Sequence, residues 1–309
     1  MLSRLAIMIP IVLGVATISF LLMQASPGDP AASYLGDKAT PESVEQLRRA
    51  WGLDAPVWQQ YLTFIGGLFV GDLGNSFLFQ VPVAQLLALR IPATLMLMVV
   101  SIVLAVTISV PIALWVTISK SPAASAVSRM FSATFQGMPA FFIGALLIAF
   151  VALRTGWFPV GGYGETFGEH LHSLLLPGLA VALNICPVLI RSLTAALGEA
   201  LDAEYMNFAL SKGLSRRASI ASYAFRNAGI SGISILGIQV GNLVGGALVI
   251  ENVFAIPGLG SLLLQAVLGR DYPTVQALTV VFGILVVATY LVTDLVYGLV
   301  DPRVRLGKK

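Results

Sequence analysis

The stretch that decides the fold is ATLMLMVVSIVLAVTISVPIALWVTI, residues Ala93–Ile118, a run without a single charged side chain. A bilayer core about 30 Å thick is crossed by roughly 20 such residues in helical form. The run is also much longer than the average helix of a soluble protein. It therefore predicts a helix that crosses a membrane.

The composition of the whole chain agrees with this prediction. Of its 309 residues, 57% are hydrophobic and 11% are charged, and the mean hydropathy is +0.88. Soluble domains carry about 25% charged residues, so one aqueous core could not hide this much apolar surface. The single cysteine, Cys186, excludes a disulfide framework and a cysteine-based metal site. The net charge of +3 does not indicate a nucleic-acid partner, because the basic residues fall in short clusters between apolar runs.

Six apolar stretches are long enough to span a bilayer, and we expect an all-α, polytopic membrane helix bundle of six transmembrane helices. Prolines inside several stretches, Pro139 among them, predict kinks whose freed carbonyls neighbouring helices satisfy. The first stretch has an alternative interpretation as a cleaved signal peptide, but it is as long as a full span. The predicted spans are Leu5–Ala25, Ala93–Ile118, Phe131–Leu153, Ser173–Ile190, Ala228–Ile250 and Val275–Val300.

The distribution of charge predicts the orientation of these spans. With both termini in the cytoplasm, 12 of the 18 Lys and Arg residues lie in inside segments. Ten of the 15 acidic residues then lie outside. Because Lys and Arg accumulate in cytoplasmic segments of membrane proteins, the N-in, C-in orientation is favoured.

The longest segment between spans, residues 26–92, is predicted to be extracytoplasmic. Thr40 followed by Pro41 is typical of an N-cap and the first position of a helix. A stripe of apolar and aromatic side chains follows at helical spacing from Trp58 to Phe69. This stripe fits either the membrane interface or a small cap on the bundle's own outer face, and the two are not exclusive.

Ionisable residues offer few candidate sites. Asp294 is the clearest carboxylate in a predicted span and so a functional candidate, although a bond to a neighbouring helix near the cytoplasmic boundary is the favoured interpretation. His170 and His172 form an HxH pair on a segment expected to be extended and external, where solvated histidines are favoured over a metal site without a third ligand. No GxxxxGK[ST] phosphate loop occurs, so an ATPase driving this protein would be a different chain.

The fifth predicted span carries two unusual faces. Gly237, Gly241 and Gly245 recur every four residues, a small-residue stripe that favours close helix packing. Polar amides on the other face are costly in lipid, so we expect them to face a protein partner or a water-filled path. Packing and a role in a translocation path both stay open for that face, which consists of Gln239, Asn242 and Gly246.

The loop between the fourth and fifth spans, residues 191–227, is predicted to be cytoplasmic and is the most informative segment. Its stretch EALDAEYMNFALSK, Glu199–Lys212, predicts one helix by propensity. Gly213 follows where a C-cap belongs, and Ser215 can cap a second helix. Two apolar faces on this helix suggest that one packs against the protein and the other docks a partner. The faces are Leu201, Tyr205 and Phe208, and Met206, Ala209 and Leu210.

This loop resembles the coupling loop of ABC-importer permeases, whose acidic residue, alanine and glycine match Glu204, Ala209 and Gly213. The loop lacks the Leu-Pro pair of the general pattern. With the motifs along the rest of the chain, it resembles the dipeptide/oligopeptide/nickel transport family, in its first-permease type with a long segment after the first span. Those motifs are Pro27-Gly28-Asp29-Pro30, Gly71-Asp72-Leu73-Gly74 with Ser76, Arg90, Pro92 and Thr94, Arg226-Asn227-Ala228, Glu251, Val253, Phe254 and Ile256–Gly260, and Asp301-Pro302-Arg303.

The resemblance implies a single transmembrane permease domain over residues 1–309 of an importer in a bacterial inner membrane. The implied solutes are peptides, with nickel chelates, glutathione or sugars as other possibilities. A second homologous permease, two ATPases that bind ATP and Mg, and an extracytoplasmic substrate-binding protein are the implied partners. The chain itself would hold no cofactor or metal and would not be an enzyme; an ion-coupled carrier and an intramembrane hydrolase are the alternatives. The residues implied in ATPase coupling are Glu204, Tyr205, Ala209, Lys212, Gly213 and Leu214.

Overall fold

The computed structural model describes residues 2–25, 28–36 and 39–300. Pro27 and the whole Asp301-Pro302-Arg303 motif lie outside these ranges. Within the described ranges the regular secondary structure is helical, and the β pairing consists of one isolated bridge between Asn75 and Pro82. The all-α prediction is confirmed.

The helices follow one another with short connections, and two of them continue from π-helical turns at Ile148–Ala152 and Ile220–Ala224. In chain order they are α1 Leu2–Ala25, α2 Pro30–Leu35, α3 Pro41–Ala50, α4 Val57–Val70, α5 Val83–Ser119, α6 Pro122–Gln136, α7 Ala140–Leu147, α8 Leu153–Thr155, α9 Phe167–Asp202, α10 Glu204–Ser211, α11 Arg216–Ser219, α12 Phe225–Val253, α13 Leu259–Leu268 and α14 Tyr272–Val300.

Four described helices, α1, α5, α9 and α14, are long and apolar enough to cross a membrane. Two bent pairs of helices raise the number to six if each pair forms one span. Pro122–Gln136 meets Ala140–Thr155 at 100°, and Arg216–Leu243 meets Gly245–Val253 at 60°. Six spans therefore remain a prediction that depends on these two pairs.

The third predicted span, Phe131–Leu153, was wrong as a single helix. α6 ends at Gln136, and α7 begins only after Pro139, whose backbone is extended. Proline lacks an N–H and disfavours helical conformation at the residue before it, so the Gly137-Met138-Pro139 sequence ends one helix before the next begins. The break is sharper than the kink expected from this proline.

The chain divides into two compact units, and the first consists of Met1–Thr94 and Pro257–Val287. Its core joins α5, α13 and α14 through buried aliphatic side chains. Thr94 Oγ1 accepts a hydrogen bond from the backbone N–H of Leu259 at 2.8 Å, which ties the start of α13 to α5. The buried members of the core are Val83, Leu86, Leu87, Leu259, Leu262, Ala277 and Leu278.

Helices α3 and α4 of this unit follow the sequence prediction. Thr40 caps α3 through a reciprocal hydrogen-bond pair with Ser43, as its N-cap pattern predicted. α4 packs on α1, where the Tyr61 and Thr17 hydroxyls lie 2.8 Å apart, while Trp58 stays exposed on its other side. The aromatic stripe thus packs on a neighbouring helix and leaves apolar surface uncovered, and both interpretations stay open.

The second unit, Leu95–Ile256 and Ala288–Lys309, is built around α9. About two-thirds of the apolar part of α9 is buried, far more than of α1, α5 or α14. Gly178 on α9 packs so closely on Val100 of α5 that a methyl group there would overlap the valine. The helix runs well beyond the predicted Ser173–Ile190 at both ends. Because α9 is the most buried of the four long apolar helices, its C-terminal end is a firm support for the loop that follows it.

Candidate coupling loop

The loop after α9 contains two short helices rather than the single helix predicted over Glu199–Lys212. α9 ends at Asp202, Ala203 takes an extended conformation, and α10 begins at Glu204. Ala203 and Glu204 favour a helix by propensity and Asp202 disfavours one only weakly, so local preference alone does not explain the break. The break lets the buried Met206 pack with Ile220 beyond the loop, and this tertiary contact outweighs propensity.

One side of α10 is anchored to the second unit. Met206 and Ala209 are buried, and Met206 packs with Ala200, Ile220 and Ala224. Leu201 and Tyr205 pack partly buried against the same cluster. The sequence analysis grouped Leu201 and Tyr205 with Phe208, and Met206 and Ala209 with Leu210. The structure divides both groups, because Phe208 and Leu210 are exposed while the other members are buried or partly buried.

The other side of α10 is apolar and uncovered. Phe208 is 62% exposed, and Leu210 and Leu214 are also exposed. The Lys212 ammonium lies 4.5 Å from the centre of the Phe208 ring, a cation–π contact at the exposed end of the helix. An exposed apolar cluster beside a cation is typical of a surface that binds another protein.

Gly213 ends this helix as its position predicted. Its φ of +84° is left-handed, and its N–H and that of Leu214 bond back to the carbonyls of Leu210 and Ala209. Glycine is the residue that adopts such a conformation without strain. Ser215 then caps α11 by accepting a hydrogen bond from Ala218 N, again as predicted.

The polar face of α12 lies partly open. Asn242 and Gly246 are exposed and Gln239 is half-buried. Of the glycine stripe, Gly237 and Gly241 lie against Thr293 and Tyr290 of α14, but no side chain lies within 4 Å of the position a Gly245 Cβ would take. Within the described chain the stripe therefore contacts α14 over two glycines rather than three.

The two histidines lie on the first turns of α9, so the extended segment expected for them was wrong. The ring of His170 stacks on Tyr163 with centroids 3.9 Å apart, and His172 Nε2 lies 2.7 Å from the carbonyl of Trp157. Burial raises the pKa of Tyr163. Among the described residues no three His, Cys, Asp or Glu side chains cluster as metal ligands would.

Known proteins match along the whole chain. Residues 109–306 match the family described as binding-protein-dependent transport system inner membrane component, and residues 1–98 match the N-terminal region described for the same class. The chain belongs to this family. It is the permease component of an ATP-binding-cassette importer and a multi-pass protein of the bacterial inner membrane, and ATP hydrolysis takes place in separate ATPase subunits. None of these matches supports an ion-coupled carrier as the function of the chain.

Individual relatives cover the permease from end to end. It is 39% identical to a putative peptide transport system permease protein of Brucella abortus, with 98% of each chain covered. It is 35% identical to an oligopeptide transport system permease protein of Bacillus subtilis, with 96% of each covered. It is 31% identical to a dipeptide transport system permease protein of Escherichia coli, over 99% of the permease and 98% of that chain.

A solved structure supports the fold. A chain of the MetNI methionine ABC transporter, in inward-facing conformations, matches with a TM-score of 0.55 at 18% identity, over 70% of the permease and 97% of that chain. The membrane-permease fold predicted from the sequence is thus confirmed, and the family implies ATPase and substrate-binding partners.

Two buried carboxylates in the permease were missed as sites by the sequence analysis. Asp271, directly before α14, accepts hydrogen bonds from Ser76 Oγ at 2.5 Å, Phe77 N at 2.9 Å and Thr274 Oγ1 at 2.7 Å. Glu251 is fully buried within α12, whereas Asp294 is exposed on α14. The sequence signal that could have identified Asp271 is Ser76, a motif residue 195 positions away to which the sequence analysis assigned no function.

The motifs of the first unit meet at this point in space. Gly74, in the Gly71-Asp72-Leu73-Gly74 motif, has a left-handed φ of +73° and receives a hydrogen bond at its carbonyl from Val83 N. Gly28 lies where any side chain would overlap the Arg270 guanidinium. These motif residues therefore form part of the scaffold around the start of α14.

Proposed function

We propose that this permease moves peptides or similar small solutes into the cell. The proposal is supported by the relatives, which are named peptide, oligopeptide and dipeptide permeases. In this proposal both termini and residues 191–227 lie in the cytoplasm and residues 26–92 lie outside. The excess of Lys and Arg in the proposed cytoplasmic segments supports that orientation.

A second homologous permease would complete the path, and two ATPases would bind on the cytoplasmic side. An extracytoplasmic binding protein would deliver the solute. ATP and Mg are bound by the ATPases in this arrangement, and the permease contributes no cofactor. The exposed Asn242 and Gly246, with Gln239 beside them, would line the path or contact the second permease.

The observation that carries the proposal is the two-sided surface of α10. Met206 and Ala209 fix the helix to the permease, while Phe208, Leu210 and Leu214 are left exposed. An amphipathic helix whose free side enters a partner's groove transmits that partner's movement as a rigid body. Glu204 to Leu214 would therefore carry the closure of the ATPases to the membrane helices.

Substitution of Phe208 tests this docking. We expect Phe208→Ala to reduce recovery of the ATPases with tagged permease, because truncation of an exposed aromatic anchor removes binding energy of about 2 kcal/mol or more. Phe150→Ala is the matched control. Phe150 is 56% exposed but lies in the π-helical turn Ile148–Ala152, on the proposed outer half of its span and away from α10. Quantitative mass spectrometry of the purified complexes measures the ATPase-to-permease ratio. An unchanged ratio for Phe208→Ala, or an equal loss for Phe150→Ala, would contradict docking through α10.

A further inference from the structure

A cavity of about 520 Å³ lies between α5, α6 and α9 in the second unit. None of its lining residues belongs to α10 or to the polar face of α12. Its polar lining includes two guanidinium groups, and no carboxylate lines it. Polar side chains in its lining include Ser125, Arg129, Ser132, Gln136, Arg191 and Thr194.

The positive charge at this cavity is not neutralised by the permease itself. Arg129 and Arg191 are exposed, and neither forms an ion pair with any residue in the part of the chain that the structure describes. By contrast, Arg48 and Arg49, in the long segment after the first span, pair with Asp29, Asp54 and Glu45. Two guanidinium groups without an ion pair therefore line one cavity and are available to an anion from outside the chain.

A hydroxyl group in the cavity wall also lacks a partner. Thr194 Oγ1 is buried and makes no hydrogen bond within the described chain. A buried polar atom without a partner is costly unless something else satisfies it. Ser125, Ser132 and Gln136 place further donors around the same space. The wall thus offers guanidinium, hydroxyl and amide donors together, a set that suits a phosphate better than a single-atom anion.

The surface next to the cavity is apolar. α6 lies at 100° to the helix that follows it, so it runs across the direction of that span. Val127 and Met130, on either side of Arg129 in the sequence, are 56% and 75% exposed. An amphipathic helix with this orientation is typical of the boundary between lipid headgroups and acyl chains. An occupant with an anionic head and an apolar tail would satisfy the arginines and cover these side chains at the same time.

We propose that this cavity binds the phosphate of an anionic phospholipid. Guanidinium groups bind phosphate oxygens in bidentate fashion, and basic pockets between membrane helices are suited to acidic headgroups. Free phosphate shares the chemistry of the headgroup, but it leaves Val127 and Met130 uncovered. The lipid is therefore the source that fits both parts of the surface.

Binding of phosphatidylglycerol to the delipidated, detergent-purified transporter complex tests the proposal, with native mass spectrometry as the readout. We expect the Arg129→Gln/Arg191→Gln variant to lose affinity about tenfold or more, since two charge-assisted contacts are removed. Lys120→Gln is the matched control, because this exposed cation lies near α6 in the sequence but does not line the cavity. It should bind as the unmodified complex does. The Arg129→Lys/Arg191→Lys variant keeps both charges but not the bidentate geometry, so it should bind more weakly than the unmodified complex and more tightly than the glutamine variant. That order of affinities shows that the loss in the glutamine variant does not come from misfolding.

Competition with inorganic phosphate distinguishes a lipid headgroup from free phosphate as the bound anion. If the lipid is the ligand, phosphate at the same concentration should leave phosphatidylglycerol bound. Displacement of the lipid by equimolar phosphate would instead assign the cavity to a soluble anion and overturn the lipid proposal. Equal phosphatidylglycerol affinity in the Arg129→Gln/Arg191→Gln variant and the unmodified complex would overturn the site altogether.

Discussion

At the scale of single residues, the backbone conformation of Gly213 decides how the coupling loop ends. Its φ of +84° is left-handed, and the position of an added Cβ is open space with no neighbour within 4 Å. The requirement for glycine is therefore conformational rather than steric. Residues of similar size should therefore differ in effect at this position according to whether they tolerate the left-handed conformation.

We expect Gly213→Val to lower ATP-driven transport at least severalfold, because a branched side chain is strained at this φ by about 1–2 kcal/mol. Gly213→Asn is the control, since asparagine tolerates the left-handed conformation and should keep most of the transport. Substrate-stimulated ATP hydrolysis of the reconstituted complex is the measurement. Equal activity of the valine and asparagine variants would show that the left-handed cap is not needed for coupling.

Asp271 provides a second prediction at this scale. Its carboxylate accepts hydrogen bonds from Ser76, Phe77 and Thr274, and it is fully buried. Asp271→Asn keeps the shape but replaces one accepting oxygen with an NH2 donor that faces other donors. We expect this change to destabilise the permease by about 1.5–3 kcal/mol.

The thermal unfolding midpoint of the purified permease measures the Asp271 effect. Ser76→Ala removes one donor and leaves the carboxylate with two partners, so its midpoint should fall less. A midpoint of Asp271→Asn equal to that of the unmodified protein would contradict the role assigned to this carboxylate.

At the scale of helices, the contact between α12 and α14 depends on which glycines face the partner helix. A side chain at Gly237 would overlap Thr293, whereas one at Gly245 would meet nothing within 4 Å. Gly237→Val should therefore destabilise the isolated permease by about 1–3 kcal/mol through overpacking. Gly245→Val makes the same change in the same helix and should leave the unfolding midpoint almost unchanged. Equal destabilisation by the two variants would show that Thr293 does not set the packing distance.

The sequence predicted elements well where one local signal was sufficient. The Thr40-Pro41 cap, the helical stripe from Trp58 to Phe69 and the glycine end of α10 were all predicted from neighbouring residues. These features depend on hydrogen bonds and backbone preferences within one or two turns. Such signals can be recognised without knowledge of the tertiary fold.

The elements that were missed depend on contacts distant in the sequence. The extended Ala203 lies between Asp202 and Glu204, where propensity alone does not predict a break, and the packing of Met206 on Ile220 accounts for it. Asp271 becomes a site only when Ser76 is brought beside it from 195 residues away. The 100° bend after α6 had a local signal in Pro139, but hydropathy was continuous across it and concealed the break.

At the scale of the whole molecule, the orientation in the membrane is the prediction that remains to be tested. The native Cys186 is buried and can be replaced by Ala before single cysteines are introduced. We expect a cysteine at Ser211 to be labelled by an impermeant maleimide only after the cell envelope is opened, and a cysteine at Gln59 to be labelled from outside. Both positions are on described helices, and Ser211 is exposed. The reverse pattern of labelling would contradict the N-in, C-in orientation.

The most direct test of the central claim is uptake of a labelled peptide by proteoliposomes that contain the permease, its partner permease, the ATPases and the binding protein. If the permease is driven through its coupling loop, uptake should require ATP on the ATPase side, should persist after ion gradients are collapsed, and should fall strongly with Phe208→Ala. Uptake driven by a proton or sodium gradient without ATP, and unaffected by Phe208→Ala, would contradict the account.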